Sequence, residues 1–155
     1  MLLIVGLAEL FAMTLWFSGT AVGPELADAW NLSAAETAWL TNAVQLGFVA
    51  GALLSASLTI ADIIPPRYLF AGSALAGALA TALIAAFVTS GLPAIVLRFV
   101  TGVALAGVYP TGMKMMAAWF DKGRGLAIGV LVGALTVGSA SPHLIRAIGG
   151  IGQPD

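Results

Sequence analysis

The chain has no cysteine, a single histidine and few charged residues, and each shortage excludes a class of function. Without cysteine there are no disulfides, no thiol nucleophile and no Cys-bound zinc. The lone imidazole of His143 cannot form a multi-histidine metal site. Six basic residues, scattered along the chain, cannot build a surface that follows nucleic-acid phosphates. The sequence therefore predicts no metal, no cofactor and no nucleic-acid partner.

Enzyme activity is not expected either, because no pairing of a nucleophile with a base is visible. Asp, Glu, Lys and Arg make up 8% of the 155 residues, against roughly 25% in soluble domains. Hydrophobic residues make up 60%. Such a chain cannot cover a globular surface with polar side chains, so it needs a lipid bilayer around it. We expect an all-α, polytopic membrane helix bundle.

Five stretches are long and apolar enough to cross a hydrocarbon core of about 30 Å, which takes about 20 residues in a helix. The uncharged run from Tyr68 to Leu97 is too long for one helix. It divides at Ser90–Pro93, because glycine ends helices and proline opens them. In the fourth span, Pro110 predicts a kink. The predicted spans are residues 2–23, 37–61, 67–89, 93–117 and 125–148.

The basic residues predict the orientation of the chain, since cytoplasmic connectors are enriched in Lys and Arg. Arg67 follows the second span, and Lys114, Lys122 and Arg124 lie at the end of the fourth span and in the connector after it. The other two connectors contain no Lys or Arg. This pattern predicts a cytoplasmic N-terminus in the plasma membrane, the inner membrane of a bacterium, with Arg146 as an exception.

Two spans have small residues four positions apart, which predicts faces where helix backbones approach closely. One is in the second span and the other in the fifth. The glycines concerned are Gly47 and Gly51, then Gly125, Gly129 and Gly133.

Glu9 and Arg98 each lie inside a predicted span, and an unpaired ion at mid-membrane is costly enough to suggest a function. On the predicted boundaries they lie roughly 10 Å apart along the membrane normal. Whether Glu9 and Arg98 form a direct ion pair therefore stays open. The role of Glu9 also stays open: it is either a proton or substrate site or a structural residue.

Five further residues are candidates for the pathway of a solute. The amides of Asn42 and Gln45, three residues apart, should avoid lipid and meet either a neighbouring helix or the solute. Trp16 is either a packing residue or a cavity wall. His143 and Arg146, one turn apart, either line the outer end of a pathway or are structural.

The connectors resemble those of major facilitator superfamily transporters. That family places an Asp between its second and third helices, followed five residues later by a basic residue, as in Asp62-Ile63-Ile64-Pro65-Pro66-Arg67. Leu58 stands where the family has glycine, and the family's intermediate basic residue and glycine are missing. Arg98 and Gly102 resemble the fourth-helix motif. The segment Lys122-Gly123-Arg124-Gly125 resembles the basic turn before the fifth helix.

The resemblance implies twelve helices in two six-helix halves that give alternating access to a central site. Residues 1–155 would form part of the N-terminal half, and the sixth helix and the C-terminal half would be missing partners. By the same resemblance Gly102 is a packing residue, and the cytoplasmic gate consists of Asp62, Arg67, Lys122 and Arg124.

We therefore expect a fragment of a secondary active transporter that moves a small solute with a proton or anion gradient. One alternative is a membrane scaffold or assembly protein that transports nothing. Another, within transporters, is a nitrate/nitrite-type anion porter that uses Arg98 and Arg146, in place of a drug–proton antiporter that uses Glu9. The sequence does not identify the substrate.

Overall fold

The computed structural model describes residues 2–120 and 123–150, except for the side chains of Arg124, Gly149 and Gly150, and all regular structure in this part is α-helical. The helices are α1 (Leu2–Ala21), α2 (Gly23–Trp30), α3 (Ala34–Ser57), α4 (Ile60–Ile63), α5 (Pro66–Phe87), α6 (Gly91–Leu105), α7 (Tyr109–Trp119) and α8 (Arg124–Gly150).

Five spans in this part are long and apolar enough to cross a membrane: α1, α3, α5, α6 with α7, and residues 125–148 of α8. The prediction of an all-α bundle with about five membrane helices is confirmed, and the protein is a multi-pass membrane protein. The observed ends differ somewhat from the predicted ones. The largest difference is at the second span, which was predicted to reach residue 61 and ends at Ser57.

The connector between the first two spans contains a helix, α2, that was not predicted. Pro24 lies in its first turn, where the missing N–H costs no hydrogen bond. The helix ends at Asn31, which has a left-handed backbone with φ 51°. Ser33 and Glu36 then form a capping box, with Glu36 N donating to Ser33 Oγ at 3.2 Å and Ser33 N donating to Glu36 Oε2 at 2.9 Å. These contacts begin the second span at Ala34, earlier than predicted.

The second span ends early because the chain turns at Thr59. This residue has φ 50°, a left-handed conformation that is unfavourable for a β-branched side chain. The turn starts α4, a single turn of helix that carries Asp62 towards α7.

The fourth span is broken, as Pro110 predicts. Helix α6 stops at Leu105 and α7 starts at Tyr109. Pro110 has no N–H to donate to the carbonyl four residues before it, so a regular α-helix cannot continue through this point.

Glycines bring two pairs of helices close together. An added Cβ at Gly102 of α6 would overlap the carbonyl oxygen of Val44 and lie 2.8 Å from the backbone N of Phe48 in α3. At Gly51 of α3 it would lie 2.7 Å from the carbonyl oxygen of Val103. An added Cβ at Gly138 of α8 would lie 2.6 Å from the carbonyl oxygen of Leu10 in α1. Close contact between backbones therefore holds α3 to α6 and α1 to α8.

The predicted packing glycines divide into two groups. Gly47 lies against the backbone of Phe99, in the same α3–α6 contact. By contrast, an added Cβ at Gly125, Gly129 or Gly133 would meet no atom within 4 Å. This stripe of α8 faces away from the described helices, and its packing role stays a prediction.

Candidate functional site

Glu9 lies in the interior of the bundle with no polar partner among the described residues. The residue is fully buried, and neither of its carboxylate oxygens has a hydrogen-bond partner there. Its Oε2 faces Gly112 of α7, where an added Cβ would be 2.9 Å away. The ring of Phe70 lies beside the same point of α7. A buried polar group without a partner is rare and costly, so this carboxyl group requires a functional explanation.

An aromatic cavity of about 230 Å³ lies on the same face of α1 as Glu9. Met13, Trp16 and Phe17 follow Glu9 at the i+4, i+7 and i+8 positions, which share one helix face. The edge of the Trp16 ring meets Phe48 of α3, with ring centroids 5.0 Å apart and an interplanar angle of 63°. The cavity is lined by Met13, Trp16, Phe17, Phe48, Tyr109 and Leu135.

Glu9 lies one turn of α1 away from the aromatic cavity. Met13 is one turn from Glu9 along α1, which is about 6 Å of helix rise. On α7, Tyr109 of the cavity is one turn before Gly112, which touches Glu9. Trp16 thus lies in a wall of the cavity, and Glu9 lies one helical turn from the cavity, on the side of the N-terminus of α1.

Arg98 is also buried, and it ties three helices together. Its residue exposure is 2%. Nε donates to the carbonyl oxygen of Leu40 at 3.1 Å, Nη1 donates to that of Leu15 at 2.8 Å, and Nη2 donates to that of Trp16. Leu15 is six residues beyond Glu9, which is about 9 Å of helix rise. The structure does not bring Arg98 and Glu9 together as a pair.

The predicted gate residue Asp62 meets a lysine, Lys114, that was not predicted to be part of the gate. Lys114 Nζ lies 2.7 Å from Asp62 Oδ1 and donates to the carbonyl oxygen of Ala61 at 2.7 Å. Arg67 instead lies over the ring of Tyr68, at 4.6 Å from the centroid, and donates to its hydroxyl at 3.1 Å. The position of Lys114, as the last basic residue of the fourth span, is the signal that could have identified it.

Two predicted gate residues, Lys122 and the side chain of Arg124, lie outside the described residues. The amides of Asn42 and Gln45 are exposed on α3. Gln45 is one turn from Phe48 and one turn from Thr41, whose hydroxyl bonds that of Thr20 at 3.0 Å. Gln45 therefore lies on the side of α3 that borders the aromatic cavity.

His143 is exposed on α8. Arg146 Nε lies 2.6 Å from Glu25 Oε1, so it fastens α8 to α2. Among the residues that the structure describes, no group of three His, Cys, Asp or Glu side chains could hold a metal ion.

Comparison with known proteins adds two findings. The sequence profile of the Major Facilitator Superfamily matches residues 4–142. The chain is also 34% identical over 117 residues to the "Putative niacin/nicotinamide transporter NiaP" of Bacillus subtilis (strain 168). This match covers 75% of the chain and 28% of that protein's length. No solved structure matches the chain significantly.

Proposed function

Since the chain belongs to the Major Facilitator Superfamily, we propose that it is part of a secondary transporter that moves a small aromatic solute and is coupled to protons through Glu9. The chain supplies one wall of the pathway, and the rest of the transporter supplies the other. The observation that carries the proposal is the buried carboxyl group of Glu9, which has no hydrogen-bond partner among the described residues and lies one turn from the aromatic cavity.

The substrate class follows from the walls of the aromatic cavity. Trp16, Phe48 and Tyr109 offer ring edges and faces to a flat, largely apolar molecule. An aromatic pair of this kind contributes about 0.5–1.5 kcal/mol beyond its buried area. The niacin and nicotinamide named for the Bacillus relative are small aromatic molecules, which supports this choice of solute class.

The coupling role of Glu9 follows from its surroundings. An ionised carboxylate with no partner in an apolar interior is costly, whereas a protonated one is tolerated. The closed arrangement around Gly112 and Phe70 therefore suits the protonated side chain. When the pathway opens to water, the ionised form is solvated and the proton leaves. Glu9 thus links the proton's release to the exposure of the cavity.

The proposed membrane is the bacterial plasma membrane, with the N-terminus inside, because Arg67 and Lys114 lie at the end of the bundle predicted to be cytoplasmic. The Asp62–Lys114 pair is then a contact at the cytoplasmic end, and the Glu25–Arg146 pair is at the outer end.

The two alternatives have less support. Arg146, one of the two cations that an anion porter would use, pairs with Glu25, and neither Arg146 nor Arg98 lines the aromatic cavity. A scaffold without transport gives no reason for a buried, unpartnered carboxyl group beside a cavity.

The test is transport by the purified full-length protein in proteoliposomes, with labelled niacin and nicotinamide as probes. A pH gradient should drive accumulation of at least one probe. Replacing the carboxyl group in Glu9→Gln should abolish the accumulation driven by the gradient and leave probe exchange across the membrane intact. The control is Asp28→Asn, which changes an exposed acid outside the cavity and should behave like the unmodified protein.

The proposal is wrong about coupling if Glu9→Gln accumulates the probe with an unchanged pH dependence. It is wrong about the solute class if neither probe is accumulated or exchanged while other classes of solute are. An absence of flux for every solute tested would favour the scaffold.

A further inference from the structure

Arg98 lines a second cavity, of about 280 Å³, that lies on the opposite face of α1 from the aromatic cavity. The α1 residues Ser18, Gly19 and Val22 face this second cavity, whereas Met13, Trp16 and Phe17 face the aromatic one. At 100° per residue the two sets point in nearly opposite directions. We refer to this second space as the Arg98 cavity.

The positive charge of Arg98 has no counter-charge within the described residues. Its three hydrogen bonds all go to neutral carbonyl oxygens, and the ion pairs of the described residues are Lys114–Asp62 and Arg146–Glu25. A guanidinium group has five N–H donors, so two remain unused. A buried cation inside a membrane span is costly unless an anion or a strong acceptor compensates it.

The rest of the Arg98 cavity is mainly apolar. Leu26 and Trp30 of α2, Leu40 of α3, and Ile84 and Ala85 of α5 form most of its walls. Two hydroxyl groups, on Ser18 and Thr81, also line it. An inorganic anion would lose its hydration against such walls, whereas an organic acid would cover them with its own apolar part.

We propose that the Arg98 cavity binds a small organic carboxylate, with the carboxylate on the free N–H groups of Arg98 and the apolar part against Leu26, Trp30 and Ile84. The volume lies at the lower limit for drug-sized ligands, about 300 Å³, and therefore suits a small molecule. This site is separate from the proposed transport pathway, and neither proposal depends on the other.

Helix α2 forms one wall of the site. Leu26 and Trp30, one turn apart, line the cavity near the end of α1. Glu25, on the same short helix, pairs with Arg146 of α8 at 2.6 Å. A displacement of α2 would change the shape of the site, and this exposed ion pair restrains such a movement only weakly.

The experiment uses the full-length protein in nanodiscs of phosphatidylcholine, which has no net charge, and titrates it calorimetrically with benzoate and with benzamide. The two probes have nearly the same shape and differ in charge. Charge is varied on the ligand because a replacement of Arg98 would also remove its three helix contacts. Benzoate should bind saturably, and benzamide should bind about tenfold more weakly or worse, because a charge-assisted hydrogen bond is lost.

Two matched variants locate the site. Ala85→Phe adds a ring to the cavity wall, and Ala86→Phe adds the same ring to the next residue of α5, which does not line the cavity. We expect Ala85→Phe to weaken benzoate binding at least about tenfold and Ala86→Phe to leave it unchanged. The proposal is overturned if benzoate does not bind, if benzamide binds equally well, or if the two variants behave alike.

Discussion

Lys114 Nζ lies 2.7 Å from Asp62 Oδ1 and 2.7 Å from the carbonyl oxygen of Ala61, so one ammonium group fastens α7 to α4. The two side chains are 47% and 75% exposed. An exposed pair of this kind stabilises a fold only weakly. A contact that forms and breaks at little cost suits the gate of a transporter, which has to open in every cycle.

The first prediction concerns the strength of this pair. In a double-variant cycle of Asp62→Asn and Lys114→Gln, the coupling free energy should be about 0.2–1 kcal/mol, measured by unfolding in SDS. The control cycle replaces Arg67, which lies over Tyr68, and Arg67→Gln should show no coupling with Asp62→Asn. If Arg67 couples to Asp62 more strongly than Lys114 does, the partner of Asp62 is Arg67, as the family resemblance implies, and not Lys114.

The second prediction compares Gly102 and Gly129, which were both predicted to be helix-packing residues. Gly102→Ala should destabilise the protein by about 1–3 kcal/mol, since its new Cβ would force α3 and α6 apart. Gly129→Ala should be neutral or stabilising by up to about 1 kcal/mol, because its Cβ meets no atom and alanine favours the helix. Thermal unfolding of both variants in detergent measures the difference. Equal destabilisation would show that a further helix covers Gly129.

The five spans could be predicted from the sequence because uncharged apolar runs of sufficient length are a local property. Helix α2 was missed, although the capping pair Ser33 and Glu36 is visible in the sequence at the required spacing. That pair marks the start of the second span, and Pro24 could have marked the start of α2.

Glu9 and Arg98 could be identified from the sequence as charges inside the membrane, but their surroundings could not. Whether they pair depends on how α1, α3 and α6 cross, and this crossing is set by close contacts such as Gly102 against Val44. For the same reason the aromatic cavity was not predicted. Its walls come from four helices, and no local pattern shows that Trp16, Phe48 and Tyr109 meet.

The third prediction tests the aromatic cavity as a solute site. Trp16→Leu removes the ring that meets Phe48, so the KM for a transported aromatic probe should rise roughly two- to tenfold. The control is Trp39→Leu, which changes a half-exposed tryptophan that does not line the cavity. Uptake in proteoliposomes over a range of niacin or nicotinamide concentrations gives both values. If Trp39→Leu raises the KM as much as Trp16→Leu, the effect is not specific to the cavity.

The last prediction is a pH dependence of the contact between α2 and α8. The pKa of Glu25 lies below its ordinary value of 4.5. A backbone N–H and the Arg146 side chain donate hydrogen bonds to the ionised carboxylate, and these bonds together outweigh the opposite effect of partial desolvation. A lowered pKa in the folded state means that the contact contributes fully above the ordinary value. Its contribution is lost as the pH falls through the lowered pKa.

Residues 1–155 contain no cysteine, so two cysteines introduced here can be spin-labelled selectively once any cysteine in the rest of the protein is replaced. Labels at Asp28→Cys and Ile145→Cys, both exposed, should give a narrow distance distribution at neutral pH that broadens in acid. In the Glu25→Gln background the distribution should no longer change with pH, because no titrating carboxylate is left to bind Arg146. A broadening in acid that persists in that background would show that a group other than Glu25 causes it.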